Sequence, residues 1–246
     1  MARVGIIGGG AFGTAMACVI RRSGHETVVW AREPEVAASI NNKGTNALFL
    51  GGVRLVPGII ATNDLAAAAD GADFLLLAPP AQHMRAVTAQ LRPALAPGTP
   101  VVSCSKGIER GSCMLMPEVL AETLPRAKLA VLSGPSFARE IAHDLPCGVT
   151  LACADAALGE NLAHAIGTAR FRTYISDDVI GAAIGGVMKN VLAIAAGIVQ
   201  GRRLGENARA TIITRGLAET TRLGIAKGAR VETFMGLCGV GDLVLT

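Results

Sequence analysis

RVGIIGGGAFG, residues 3–13, is the stretch on which the fold turns. The apolar run from Arg3 to Ile7 leads without a spacer into Gly8, Gly10 and Gly13 at GxGxxG spacing. Thr14 to Arg22 then reads as a helix that stops at Gly24. Strand, glycine turn and helix in this order suit a dinucleotide. Gly8 permits the tight turn, Gly10 the close approach of a pyrophosphate, and Gly13 the packing of helix on strand. The helix start adds unpaired N–H groups and the positive end of its dipole. A chance glycine turn would share the letters but not the flanking strand and helix, so the dinucleotide reading is preferred.

Outward from this turn, HETVVW (25–30) is the second strand. A dinucleotide fold expects an acid about twenty residues after the glycines, on the ribose 2′-hydroxyl. Arg32 stands there instead, followed by Glu33. An arginine favours a 2′-phosphate and hence NADPH over NADH; the plainer alternative is a solvated loop charge. Further on, Glu35–Asn42 reads as a helix, Ile59–Thr62 as a strand, and Asp64 as the cap of a short alanine helix. DFLLLA (73–78) is a strongly apolar strand stopped by Pro79-Pro80, and Gln82–Leu95 is a helix. The strand Pro100–Cys104 carries Lys106 at its carboxyl end, where such sheets bind ligands; a plain surface lysine fits that position equally well. Ser112–Thr123 reads as a helix and Ala127–Leu132 as a strand. SGPSFARE (133–140) starts a helix with proline near its first turn, either an anion site or simply a well-capped start. Strands at Val149–Ala152 and Arg170–Ile175 flank a helix at Ala154–Ala165.

This alternation predicts a parallel α/β domain, Rossmann-like and doubly wound, over residues 1–177. From residue 178 the pattern becomes all-helical, with helices at Asn207–Leu223 and Val231–Met235. The helical region opens on DVIGAAIGGVMKNVLAIAAGIVQ (178–200), almost wholly apolar with Lys189 and Asn190 near its middle. About twenty helical residues span about 30 Å, enough for a membrane. A central lysine is costly in lipid and no second span follows, so a fully buried core helix is the preferred reading and no membrane span is expected. A buried ammonium needs a partner or a lowered pKa, which makes Lys189 a candidate for acid–base chemistry, with a purely structural lysine as the alternative.

The 246 residues are 51% hydrophobic and 17% charged, a composition that excludes a disordered chain. The net charge of +4 comes from 23 basic and 19 acidic residues without a basic block, so nucleic acid is not implied. Six cysteines without a CxxC pair read as reduced, buried thiols of a cytoplasmic protein, and no His lies at metal-ligand spacing, so no metal is expected. MARVGIIGGG lacks the longer apolar region and cleavage site of a signal peptide.

Six segments together resemble the bacterial-type NAD(P)-dependent glycerol-3-phosphate dehydrogenases: GIIGGGAFGTAMA, SKGIE, LSGPSFARE, GGVMKNVLAIAAGI, NARATIITRGLAE and MGLCGVGDLVLT. They run from the first strand to the last residue. The resemblance implies reduction of dihydroxyacetone phosphate to sn-glycerol 3-phosphate with NADH or NADPH, and the reverse, by a cytoplasmic homodimer feeding glycerophospholipid synthesis. It implies Lys189 as the catalytic proton donor and acceptor, and Lys106 as a contact to both substrate and cofactor. Gly134, Ser136 and Asp242 fall on substrate-binding positions, Asp242 also as a holder of Lys189. Ala11, Phe12, Arg32 and Ala138 fall on cofactor contacts beside Gly8, Gly10 and Gly13. The family continues past Thr246 with further helices that include a phosphate-gripping arginine. The helical substrate domain, residues 178–246, is therefore expected to be incomplete. A non-catalytic NADP-binding remnant is the alternative function, and a keto-acid reductase of the same two-domain plan a more distant one.

Overall fold

The computed structural model describes residues 1–245. Eight strands form one sheet: β1 (Arg3–Ile7), β2 (Glu26–Trp30), β3 (Ile59–Thr62), β4 (Phe74–Leu77), β5 (Pro100–Ser103), β6 (Lys128–Ser133), β7 (Cys147–Cys153) and β8 (Phe171–Ser176). Seven helices accompany it: α1 (Ala11–Arg22), α2 (Pro34–Lys43), α3 (Leu65–Ala69), α4 (Met84–Leu91), α5 (Met116–Thr123), α6 (Ala138–Ala142) and α7 (Ala156–Ile166). The helical end follows as α8 (Val179–Gly201), α9 (Glu206–Ala226), α10 (Val231–Phe234), a π-type turn (Leu237–Gly241) and α11 (Asp242–Leu245).

The strand order is β3-β2-β1-β4-β5-β6-β7-β8. From β3 to β6 every pair is parallel. Neighbouring residues of one strand enter opposite layers, as a period of two demands. Ile6 and Leu76 belong to the core under α1, with Met16 and Ile20; Ile7, Leu75 and Leu77 belong to the core on the other face, with Met84, Leu91 and Met116. Both faces are covered, so β4 is buried along its whole length, which is why its sequence is a continuous apolar run. Asp64 caps α3 by accepting from the backbone of Ala66 and Ala67, as its sequence position predicts.

Three expectations are corrected. The sheet is not wholly parallel, because β7 runs antiparallel to β6 before β8 pairs parallel to β7. The helix expected from residue 133 begins only at Ala138 and has five residues. At about 1.5 Å per residue it covers about 8 Å, too little to return the chain along a six-residue strand of about 20 Å. β7 therefore starts from the same end at which β6 stops. The helix expected from Ser112 starts instead at Met116, because Ile108 and Leu115 pair as an isolated bridge and Cys113 takes a φ of 57°.

A fourth correction concerns α8. Its buried residues cluster in the first half, at Gly181, Ala182, Ile184, Gly185 and Gly186, where it lies on β6 and β7, and in the second half only Val199 joins them. Val191, Ile194 and Ile198 are exposed, Ile194 by 67%. Among the described residues α8 is long and apolar enough to cross a membrane by length and composition, a test that soluble core helices also pass. Its start is fixed by Asp178, whose carboxylate caps Gly181 N and also accepts from Arg230 N and the Thr233 hydroxyl.

Candidate active site

The glycine turn is shaped by what surrounds it. Gly8 has a φ of +124°, and a Cβ there would lie 2.7 Å from the Ala78 carbonyl carbon. A Cβ on Gly13 would lie 1.9 Å from the Gly8 oxygen, so both glycines are required for α1 to follow β1 so closely. A Cβ on Gly10 would meet no atom within 4 Å. The space in front of Gly10 is a cradle for a ligand at the N-terminus of α1, whose first turn carries no acid. These residues fit a dinucleotide pyrophosphate. Asn46, fully buried, braces the turn: its amide donates to Gly9 O and to the Thr14 hydroxyl, both at 2.8 Å. Its Oδ1 accepts from Phe49 N at 3.1 Å, which ties the following loop to the turn.

The turn opens one end of a cavity of about 580 Å³. Gly8, Gly10, Ala11, Phe12, Arg32, Lys106, Ser136 and Lys189 line it, together with Trp30, Glu33, Phe49, Pro79 and Ser105. Gly13, Gly134, Ala138 and Asp242 stand outside that lining. Gly13 lies beneath the turn, Ala138 begins α6 against the core, and Gly134 and Asp242 hold side chains that do line the cavity. The Ser105 hydroxyl donates to Pro79 O, joining the carboxyl ends of β4 and β5 under the floor.

At the far end three charges meet. Asp242 is fully buried and takes the Lys189 ammonium on Oδ1 at 2.8 Å and the Lys106 ammonium on Oδ2. Lys106 also donates to Gly134 O at 2.8 Å, and the Ser136 hydroxyl donates to the same oxygen at 2.8 Å. These groups come from the segment after β5, the turn after β6, α8 and the start of α11, so only the tertiary fold assembles them. Burial pulls the Lys106 pKa below its ordinary 10.5; the charge of Asp242 opposes this and that of Lys189 adds to it. Two ammoniums on one carboxylate leave a net positive charge in a site largely closed to water, where such a charge acts strongly on an anion.

Close helix approach makes this meeting possible. A Cβ on Gly185 would lie 1.9 Å from Cys238 O, and one on Gly186 would lie 3.0–3.2 Å from the Ser133 hydroxyl and the Lys106 stem. The adjacent glycines let α8 touch the π-type turn and the lysine at once, and the turn delivers Asp242. π-type turns recur at functional sites because the extra residue re-aims a side chain.

At the mouth of the cavity, Arg32 extends into solvent and pairs with its neighbour Glu33. Trp30, Glu33 and Phe49 also line the cavity, and the sequence motifs leave them without a role there. Trp30 and Glu33 flank Arg32 at the end of β2, so the fingerprint spacing points to them; Phe49 lies in a loop without periodicity, and nothing in the sequence places it here.

Models of the NAD-dependent glycerol-3-phosphate dehydrogenase N-terminus and C-terminus match residues 3–159 and 178–246. The chain belongs to this family. A glycerol-3-phosphate dehydrogenase [NAD(P)+] of Paramagnetospirillum magneticum is 58% identical over 246 residues, covering 100% of this chain and 89% of the relative. One from Caulobacter vibrioides is 57% identical over 244 residues, covering 99% of this chain and 73% of the relative. Among solved structures, glycerol-3-phosphate dehydrogenase from Coxiella burnetii superposes with a TM-score of 0.94 at 38% identity. That match covers 99% of this chain and 75% of the other. As a dehydrogenase of this family, the chain takes NAD or NADP in its Rossmann-like half.

Proposed function

We propose that this chain interconverts dihydroxyacetone phosphate and sn-glycerol 3-phosphate with NAD(H) or NADP(H). The observation that carries the reading is the convergence of Lys106 and Lys189 on buried Asp242, at the end of a cavity whose other end is a dinucleotide turn. The nicotinamide, when bound, supplies or accepts the hydride. Lys189 gives its proton to the carbonyl oxygen as negative charge develops there, and takes it back in the other direction. Asp242 holds Lys189 in place and keeps the two ammoniums from repelling each other apart. Lys106, with Gly134 and Ser136 at the same carbonyl, binds the anionic substrate and borders the cofactor. Gly8, Gly10 and Gly13 shape the pyrophosphate cradle, with Ala11, Phe12, Arg32 and Ala138 as further cofactor positions.

On the same reading residues 1–177 form the cofactor domain and 178–246 the substrate domain, the protein is a cytoplasmic homodimer, and its product enters phospholipid synthesis. Family membership supports these points. The test is oxidation of NADH and NADPH, followed by nicotinamide absorbance, with dihydroxyacetone phosphate as substrate. Turnover that disappears when the phosphate is left off the substrate supports the reading. Nucleotide binding with no turnover of any ketone phosphate would sink it in favour of a non-catalytic dinucleotide-binding protein.

A further inference from the structure

Arg32 and Glu33 are consecutive residues, both line the cavity mouth, and they are bonded to each other. Arg32 Nε and Nη2 both donate to Glu33 Oε1, at 3.0 and 2.7 Å. The two side chains are not equally free. The Arg32 side chain is 72% exposed and that of Glu33 only 23%. The Glu33 backbone is also anchored, since its carbonyl accepts from Val36 N where it caps α2. A carboxylate at a helix N-terminus is favoured by the dipole, so Glu33 is the fixed member and Arg32 the swinging one. Glu33 Oε2 takes no hydrogen bond among the described residues.

The two dinucleotides differ only at the ribose that sits beyond the end of β2. A 2′-hydroxyl donates a hydrogen bond and suits a carboxylate; a 2′-phosphate repels a carboxylate and needs a cation. In this chain the cation is already engaged by a carboxylate through Nε and Nη2, so a phosphate would have to compete for it. We propose that Glu33 is the specificity-determining residue of the cofactor site. It holds Arg32 off the 2′-phosphate of NADP(H) and offers Oε2 to the 2′-hydroxyl of NAD(H), trimming the preference for NADPH that Arg32 alone would confer. The proposal rests on the reading that the cavity takes a nicotinamide dinucleotide, and it adds which residue divides the chain between the two.

Trp30 is the sole tryptophan and lines the same cavity, so its fluorescence reports binding without turnover. NADH and NADPH are titrated separately into the full chain and its variants at one low salt concentration. Glu33→Gln keeps the start of α2, because no side-chain cap bond is lost there. It is expected to tighten NADPH on the order of tenfold and to weaken NADH a few-fold, through loss of both the competing pair and the repulsion. Arg32→Ala weakens NADPH and leaves NADH nearly unchanged. In Arg32→Ala/Glu33→Gln most of the NADPH gain disappears, since no arginine remains to be released. A Glu33→Gln chain whose NADPH-to-NADH affinity ratio stays within about twofold of the unsubstituted value overturns the proposal. So does an NADPH gain that is undiminished without Arg32. A Trp30 signal unmoved by either nucleotide in the unsubstituted chain would instead overturn the dinucleotide reading itself.

Discussion

The sheet half and the helical end of this molecule use apolar residues in opposite ways. From β1 to β7 most large apolar residues are turned inward, and Ile6, Ile7, Leu75, Leu76 and Leu77 are fully buried. In the helical end Val191, Ile194, Ile198, Leu204 and Ile225 are more than half exposed, although α8 is as apolar as any strand. A sheet covered on both faces has no free side, whereas a helix has as many sides as it has neighbours. Only the first half of α8, which rests on the sheet, is fully engaged. Lys189 stands at the border, where engaged helix gives way to exposed helix.

On the proposed function, binding falls to one half and chemistry to the other, and the largest effect tests that split. Lys189→Ala is expected to lower turnover by about 10²–10⁴-fold while the Trp30 response to nucleotide stays as it was. Loss of that response too would make Lys189 part of the framework. Next comes packing. Leu76→Ala should cost about 2–5 kcal/mol of unfolding free energy, and Ile194→Ala about 0.5 kcal/mol or less, both read by denaturant melts. Equal costs would mean that the exposed stripe of α8 is covered in solution.

A smaller effect lies in the pH profile. Burial holds Lys106 below 10.5, and only its protonated form attracts a phosphate. The KM for dihydroxyacetone phosphate should therefore rise as pH climbs through the lowered value, at a pH below 10.5. In Lys106→Met that limb should vanish from an already raised KM; a limb that persists belongs to another group. The smallest effect is at the exposed joint between the halves. The Arg230 guanidinium holds the Asp177 carboxyl below its ordinary 3.8. Its gain is present above that pH and is lost as pH falls through the lowered value. Asp177→Asn should therefore lower the melting midpoint slightly at neutral pH and not in strong acid. A drop as large as that of Leu76→Ala would refute a surface role.

Wherever local physics suffices, the structure is legible in the sequence. The glycine spacing, the DFLLLA run and the Asp64 cap each depend on a few adjacent residues, and each appears where expected. The direction of β7 depends on how far five residues of α6 can carry the chain, which strand patterning does not contain. The full burial expected for α8 came from composition, and composition cannot say which faces have neighbours. The site divides in the same way. Lys106, Ser136, Lys189 and Asp242 lie in recognisable motifs, and the fold brings them together. Asn46 and Phe49 owe their places to a loop folded back on the glycine turn, and nothing in the spacing of TNALFL announces it.

The Asp178 carboxylate has a mechanical consequence. By holding the start of α8 and the segment 230–233 at once, it makes Lys189 and the approach to Asp242 a single lever with its pivot at the edge of the sheet. Lys106 rides on the sheet and does not belong to that lever. The Lys106–Asp242 ion pair therefore ties the sheet to the helical end across the site, while the Lys189–Asp242 pair stays within that end.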